Sequence, residues 1–408
     1  MIIRQRLPMI STFRCSILFV GLLSACQIAD AQRSFVSFDK VTIDEEMRGG
    51  YGVEVADMDG DGLTDIIALA TNPAQFVWYK NPGWEKYTIS TVAQRNIDSA
   101  PLDIDKDGDM DIVLASEFAL GESTTGGLVH WLENPGNPTV NQEWDMHYID
   151  EMPTSHRIKW GDINGDGEME LVNLPIIGEG ASAPLYDVDL RLKAYPIPPA
   201  LDVDSWPGIV IDQSLQLAHG LAIHDWEDNG RDDLVTASFD GVHLFQLATR
   251  GVNVAKTQLG AGKQDAERPQ IGSSEVDVGF MGGQTPYITT VEPWHGNQVV
   301  VYEQGDSGSL WERRVIDTGL SNGHGLLTAD LDNDGNDEII AGGRSEPYKL
   351  AIFRHGPTED SWQRINLDDD NVAVSGLAIE DLNGDGYLDI VAIGSGTRNV
   401  VYYENAGP

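Results

Sequence analysis

The chain has 408 residues, 41% of them hydrophobic, and carries 65 acidic against 26 basic residues for a net charge of −39. That hydrophobic fraction is too high for a disordered chain, and the acidic excess disfavours nucleic acid or an anionic membrane as partner. The acids stand in short loops at regular spacing rather than in one tail, which points to bound cations.

In chain order, residues 1–26 read as an export signal. Arg4, Arg6 and Arg14 form a basic start, and Cys15 to Ala25 an apolar stretch too short to span a bilayer. Leu23-Ser24-Ala25-Cys26 resembles a bacterial lipobox, which would make Cys26 the lipidated first residue of the mature chain; Ala29-Asp30-Ala31 offers a competing cleavage site. The expected location is therefore outside the cytoplasm: an outer-membrane or cell-surface lipoprotein held by its lipid alone, or a periplasmic or secreted protein. With Cys15 and Cys26 as the two cysteines, no disulfide is expected inside the mature fold, whose stability must come from packing and metal.

After a linker over 27–33, residues 34–408 carry a repeat of apolar strand, acidic loop and apolar strand. In five copies the side chains at loop positions 1, 3, 5 and 9 supply oxygens, with Gly at 4 or 6 permitting the turn. They are Asp57, Asp59, Asp61 and Asp65; Asp103, Asp105, Asp107 and Asp111; Asp162, Asn164, Asp166 and Glu170; Asp330, Asp332, Asp334 and Glu338; and Asp381, Asn383, Asp385 and Asp389. A sixth copy, Asp225 to Asp233, departs at Glu227 and Asn229 and reads as a plain Asx-turn. Hard oxygen donors at this density suit structural Ca²⁺ rather than zinc. The loop is similar to an EF-hand loop, but shorter and set between strands.

Neighbouring copies start about 46 to 63 residues apart, except for a double gap between Asp225 and Asp330. Midway in that gap, Ser274 to Gly283 followed by Tyr287 to Val291 has the form of the same hairpin without its acids. Seven units result. Each continues with a third strand, such as Phe76–Tyr79, Val129–Leu132, Val299–Tyr302 or Val400–Tyr403, and a polar fourth, opened by Trp84, Trp144, Trp311 and Trp362 in four cases. Ser34 to Glu45 looks like a fourth strand without a blade, and the last unit lacks one, so the N-terminal strand is expected to close the ring. The reading is all-β: a seven-bladed β-propeller of four-stranded blades. The repeat resembles the FG-GAP or VCBS family, the propeller also used by integrin α chains, which implies fold and leaves function open.

Counting back six residues from each acidic loop reaches the start of the innermost strand: Tyr51, Ile97, His156, His219, Ser273, His324 and Ser375. Three of the nine histidines share this register and should converge near the axis, on the face opposite the acidic loops. The loop between second and third strands returns to that face, bringing Glu117, Trp294-His295-Gly296-Asn297 and Arg344. A lone channel histidine would more simply bond water and backbone, and His130, His147, His224, His243 and His355 are read that way. No Gly-x-Ser-x-Gly elbow, phosphate loop, dinucleotide fingerprint or catalytic Cys is present.

Histidine can remove a carbon-bound proton beside a carbonyl or carboxylate. An Arg or a metal can then steady the enolate-like charge, and a Tyr can protonate the leaving oxygen. That set suits β-elimination on a sugar, with His156 as base, Tyr51 as acid and Arg344 as charge stabiliser. His219, His295, His324, Arg157, Trp294 and Asn297 would bind substrate or a transition metal; three imidazoles could hold Zn²⁺.

The segments Gly127–Gly136, Ser155–Lys159 and Glu292–Tyr302, with the stretch around His324, resemble the N-terminal propeller of the fungal aldos-2-ulose dehydratases. Those enzymes eliminate water from 1,5-anhydrofructose and glucosone. The resemblance implies His156 as proton acceptor, with His219, His295 and His324 around one pocket. The fungal enzymes also carry cupin-type domains, so isomerisation that depends on them is not expected of these residues. Propeller-type polysaccharide lyases that cleave rhamnosyl-glucuronate links share the plan, and there Arg157 or Arg344 would neutralise the uronate. The rival class is a non-catalytic propeller that binds glycan or protein at the cell surface.

Overall fold

The second strand of each unit is an apolar run with almost no alternation, as in Asp65–Thr71, Asp111–Ser116 and Asp389–Gly394, and nearly every residue in it is buried. A strand covered on both faces needs a sheet on either side, and a ring of sheets supplies this. The computed structural model describes residues 35–248, 254–305, 308–356, 358 and 361–408; the export signal and Cys26 lie outside the described residues. There, 28 strands form seven antiparallel four-stranded sheets, and no helix occurs among the described residues.

The innermost strands are Gly50–Ala56, Asp98–Leu102, Ser155–Gly161, Ala218–His224, Val276–Met281, Gly323–Ala329 and Val374–Glu380. Each packs against the innermost strands of its two neighbours, and the seventh returns to the first. The N-terminal strand Phe38–Asp44 pairs with Asn399–Asn405 and completes the seventh sheet, so the ring closes through both ends of the described chain. The core lies in slabs between adjacent blades. Ile66, Ala68 and Tyr79 of blade 1, for example, meet Val391, Ile393 and Tyr402 of blade 7.

The acidic loops join first to second strands, so all stand on one face. Their ninth residue also has a structural duty. Asp65, Asp111 and Asp389 accept the main-chain N–H of Met58, Ile104 and Leu382, and also those of Asn81, Asn134 and Asn405 at the end of the third strand. These asparagines then donate to Leu382, Met58 and Leu331 carbonyls in the preceding blade's acidic loop. In these blades the repeat couples an acidic loop to its own blade and to a neighbour.

Candidate functional site

A bulge at the start of the innermost strands builds the site. In blades 1, 3, 4, 6 and 7 the register slips there, and the extra residues are Tyr51, His156, His219, His324 and Ser375. A bulge residue leaves the ladder and its side chain is re-aimed, here towards the axis. Glycine follows four of them, and at Gly220, Gly325 and Gly376 the next blade leaves no room for a side chain: a Cβ on Gly220 would stand 2.5 Å from the Ser274 carbonyl oxygen.

Two register positions read from the sequence need correction. In blade 5, Ser274 and Glu275 both bond Val291, so the bulge residue is Glu275 and not Ser273. In blade 2, Ile97 and Asp98 both face Ala115, which puts Asp98 at the equivalent place, while Ile97 packs into the core. The worn fifth loop supplied no fixed point to count from, so Glu275 was missed. The strand's own apolar alternation could have found it.

The side chains meet as expected. Tyr51 Oη lies 2.9 Å from His156 Nε2 and 3.0 Å from His324 Nε2. His219 Nε2 lies 3.0 Å from His295 Nε2, and ring centroids within the cluster are 4.6–5.3 Å apart for His156–His219, His219–His295, His219–His324 and His295–His324. Arg344 Nη2 approaches His295 Nδ1 at 3.3 Å. Ligand nitrogens of His219, His295 and His324 all lie within 4.8 Å of one another. Trp294 is nearly buried and packs on His295, and Phe118 on His156.

Arg157 is held by Glu275 at 2.7 Å and lines an axial cavity of about 90 Å³ with Glu54, Asp98, Lys159 and Glu275. Asn297 is exposed and donates to the Thr318 carbonyl; no bond ties it to the histidines. The Glu117 carboxylate is bound to Arg95. Of the histidines read as structural, His147 bonds Glu133 and stacks on Trp131.

The electrostatics favour neutral imidazoles. Burial, reinforced by Arg157, Arg344 and the neighbouring rings, holds His156, His295 and His324 well below the usual value. Burial also lowers His219, and Glu275 opposes that in part. Burial would raise Glu275, but Arg157 and His219 bring it down to about 2. Burial raises Tyr51, so its hydroxyl keeps its proton. His156 Nδ1 is buried with no partner.

On the opposite face, three acidic loops each gather three carboxylates with oxygens within 4.8 Å: Asp57, Asp59 and Asp61; Asp103, Asp105 and Asp111; Asp330, Asp332 and Glu338. Buried oxygens of Asp103, Asn164, Glu170 and Asp332 have no partner. In the first loop the Lys80 ammonium bridges Asp59 and Asp61. Asp162, Asp166, Asp381, Asn383 and Asp385 hold their own loops by side-chain to main-chain bonds, while Asp107 and Asp334 each accept a main-chain N–H from two residues on. Asp225 does the same in the sixth copy, where Arg231 stands near Glu227 and Asp233.

Fold and site together define the class: a seven-bladed β-propeller with a histidine cluster at its axis. The FG-GAP-like repeat model matches residues 57–114 and 330–392. Residues 126–305, which hold His156, His219 and His295, match the β-propeller domain of aldos-2-ulose dehydratase. Aldos-2-ulose dehydratase of Phanerodontia chrysosporium is 28% identical over 313 residues, covering 71% of this chain. The alignment spans 33% of that relative's length.

Proposed function

We propose that this propeller is a carbohydrate lyase that performs β-elimination on a sugar, at the cluster of Tyr51, His156, His219, His295, His324 and Arg344, beside the axial cavity that Tyr51 and His324 line. The observation that carries the reading is the convergence of three buried imidazoles, the part-buried His295 and a tyrosine from separate blades on one point. A structural core has little use for so many basic side chains, and two of their nitrogens, His156 Nδ1 and His219 Nδ1, lack a regular hydrogen-bond partner. The dehydratase likeness favours a keto-sugar such as 1,5-anhydrofructose as substrate. A uronate-containing glycan is the second candidate, supported by Arg344, which has no carboxylate partner among the described residues.

His156 takes the proton from the carbon beside the carbonyl. The electron pair forms the carbon–carbon double bond, and the oxygen at the β-carbon departs. Tyr51, whose hydroxyl stays protonated, can donate to that oxygen, so the products are an unsaturated sugar and water or a shortened glycan. Arg344 steadies the enolate-like charge. His219, His295 and His324 fit a transition metal such as Zn²⁺ in donor type and spacing. Bound there, it would supply Lewis-acid polarisation of a sugar oxygen.

The acidic loops are read as structural Ca²⁺ sites, supported by their unpartnered buried oxygens. The first is the weakest candidate, because Lys80 already neutralises Asp59 and Asp61. Export, with Cys26 as a lipid anchor, belongs to the same proposal.

The test is to incubate the full chain, in calcium with and without zinc, with 1,5-anhydrofructose and with glucuronate-containing glycans. Unsaturated product absorbing in the ultraviolet is expected from one of them. Glycan binding without turnover would instead establish the rival, a non-catalytic binding propeller.

A further inference from the structure

The cluster's hydrogen bonds have directions that its ends dictate. Arg344 only donates, so at 3.3 Å it meets a lone pair on His295 Nδ1, and the neutral ring carries its proton on Nε2. That N–H points at His219 Nε2, 3.0 Å away, which must accept. The proton of His219 then sits on Nδ1, facing Glu275 Oε1 at 2.8 Å in a bent contact. A carboxylate oxygen at that distance tolerates an N–H and repels a lone pair. Arg157 donates to the same oxygen at 2.7 Å.

A second chain behaves likewise. The Ser375 carbonyl only accepts, so His324 Nδ1, 2.7 Å away, carries the proton and His324 Nε2 is a lone pair. Tyr51 donates to that lone pair, and with its single proton so used it accepts from His156 Nε2. The free lone pair of His156 is then Nδ1, the nitrogen that lacks a partner.

We propose that Glu275 is the positioning residue of this cluster: facing His219 Nδ1, it orders the protons from Arg157 to Arg344 and keeps the His219 Nε2 lone pair, which accepts from His295 in the metal-free chain, as the donor a cation would take. A carboxylate behind an imidazole fixes its tautomer and raises its basicity as a ligand. Glu275 stands at the bulge of the one blade whose acidic loop is worn away, and its side chain is 11% exposed. Its consequence for metal affinity rests on the transition-metal reading above; the proton order does not.

Two measurements on the full chain separate these. Correlation spectra of protein with ¹⁵N-labelled histidine report which nitrogen of each ring is protonated. Nδ1–H is expected for His219 and His324, and Nε2–H for His156 and His295; in Glu275→Gln, His219 should become a mixture of tautomers. Cobalt(II) titration, followed by its visible absorption, should show affinity falling roughly 10–100-fold in Glu275→Gln and partly restored in Glu275→Asp. A wild-type His219 protonated on Nε2, or Glu275→Gln with unchanged cobalt affinity, would overturn the proposal. If the wild type takes up no cobalt, the metal reading fails and the spectra still decide the proton order. Should Glu275→Gln not fold, the wild-type spectrum and Glu275→Asp carry the test.

Discussion

His156 is 1% exposed, and burial keeps it neutral at pH 7, so its lone pair is available without prior loss of a proton. Truncation to alanine would mix lost chemistry with a cavity, so the informative change is His156→Gln, which keeps most of the volume and a donor for Tyr51. Elimination should fall by roughly 10²–10⁴-fold, the usual worth of a general base, while the thermal midpoint moves by less than about 5 °C. Initial rates and a melting curve check both halves. A large midpoint shift with activity retained would mark His156 as a structural residue.

At the scale of the element, the strand–acidic loop–strand unit carries a pH signature. Burial first, and neighbouring acids such as Asp59 and Asp332 second, raise Asp65 to about 7 and Glu338 to about 9. Both then hold protons in the folded chain that the unfolded chain releases at about 3.8 and 4.5. The folded state binds more protons, so stability of the calcium-free protein should fall as pH rises from about 4 towards 7–9. Calcium should abolish that slope by taking the place of the protons. Melting curves across this range, in chelator and in calcium, check it; parallel curves would leave the loops as turns without a cation role.

The inner strands show why some of this unit could be read in the sequence and some not. The loop motif marks where each first strand ends, and a constant strand length then leads back to Tyr51, His156, His219 and His324. Where the motif is worn, at Glu275, or the strand begins one residue later, at Asp98, counting fails. Pairing with Val291 or Ala115 sets those positions, and pairing is a long-range contact.

For the whole molecule, closure rests on one strand. Phe38–Asp44 covers the edge of Asn399–Asn405, and Lys40 and Tyr403 both bond Asp368, across the seam between blades 6 and 7. Deleting residues 35–44 should expose that edge and drive aggregation, visible as light scattering well above that of the full chain. A deletion variant that scatters light as the full chain does, with an unchanged melting curve, would show that the ring does not depend on this strand.

Local chemistry was enough to establish the number of blades, the closing strand and the face on which the histidines gather. Those features follow from short-range patterns: apolar runs, acidic turns and their spacing. Tertiary structure alone decided that Arg157 is committed to Glu275, that Asn297 stays at the rim and that Lys80 occupies the first acidic loop. It also decided which nitrogen of each imidazole faces the pocket. Each of these depends on a partner from another strand or blade, and no spacing along one strand encodes it.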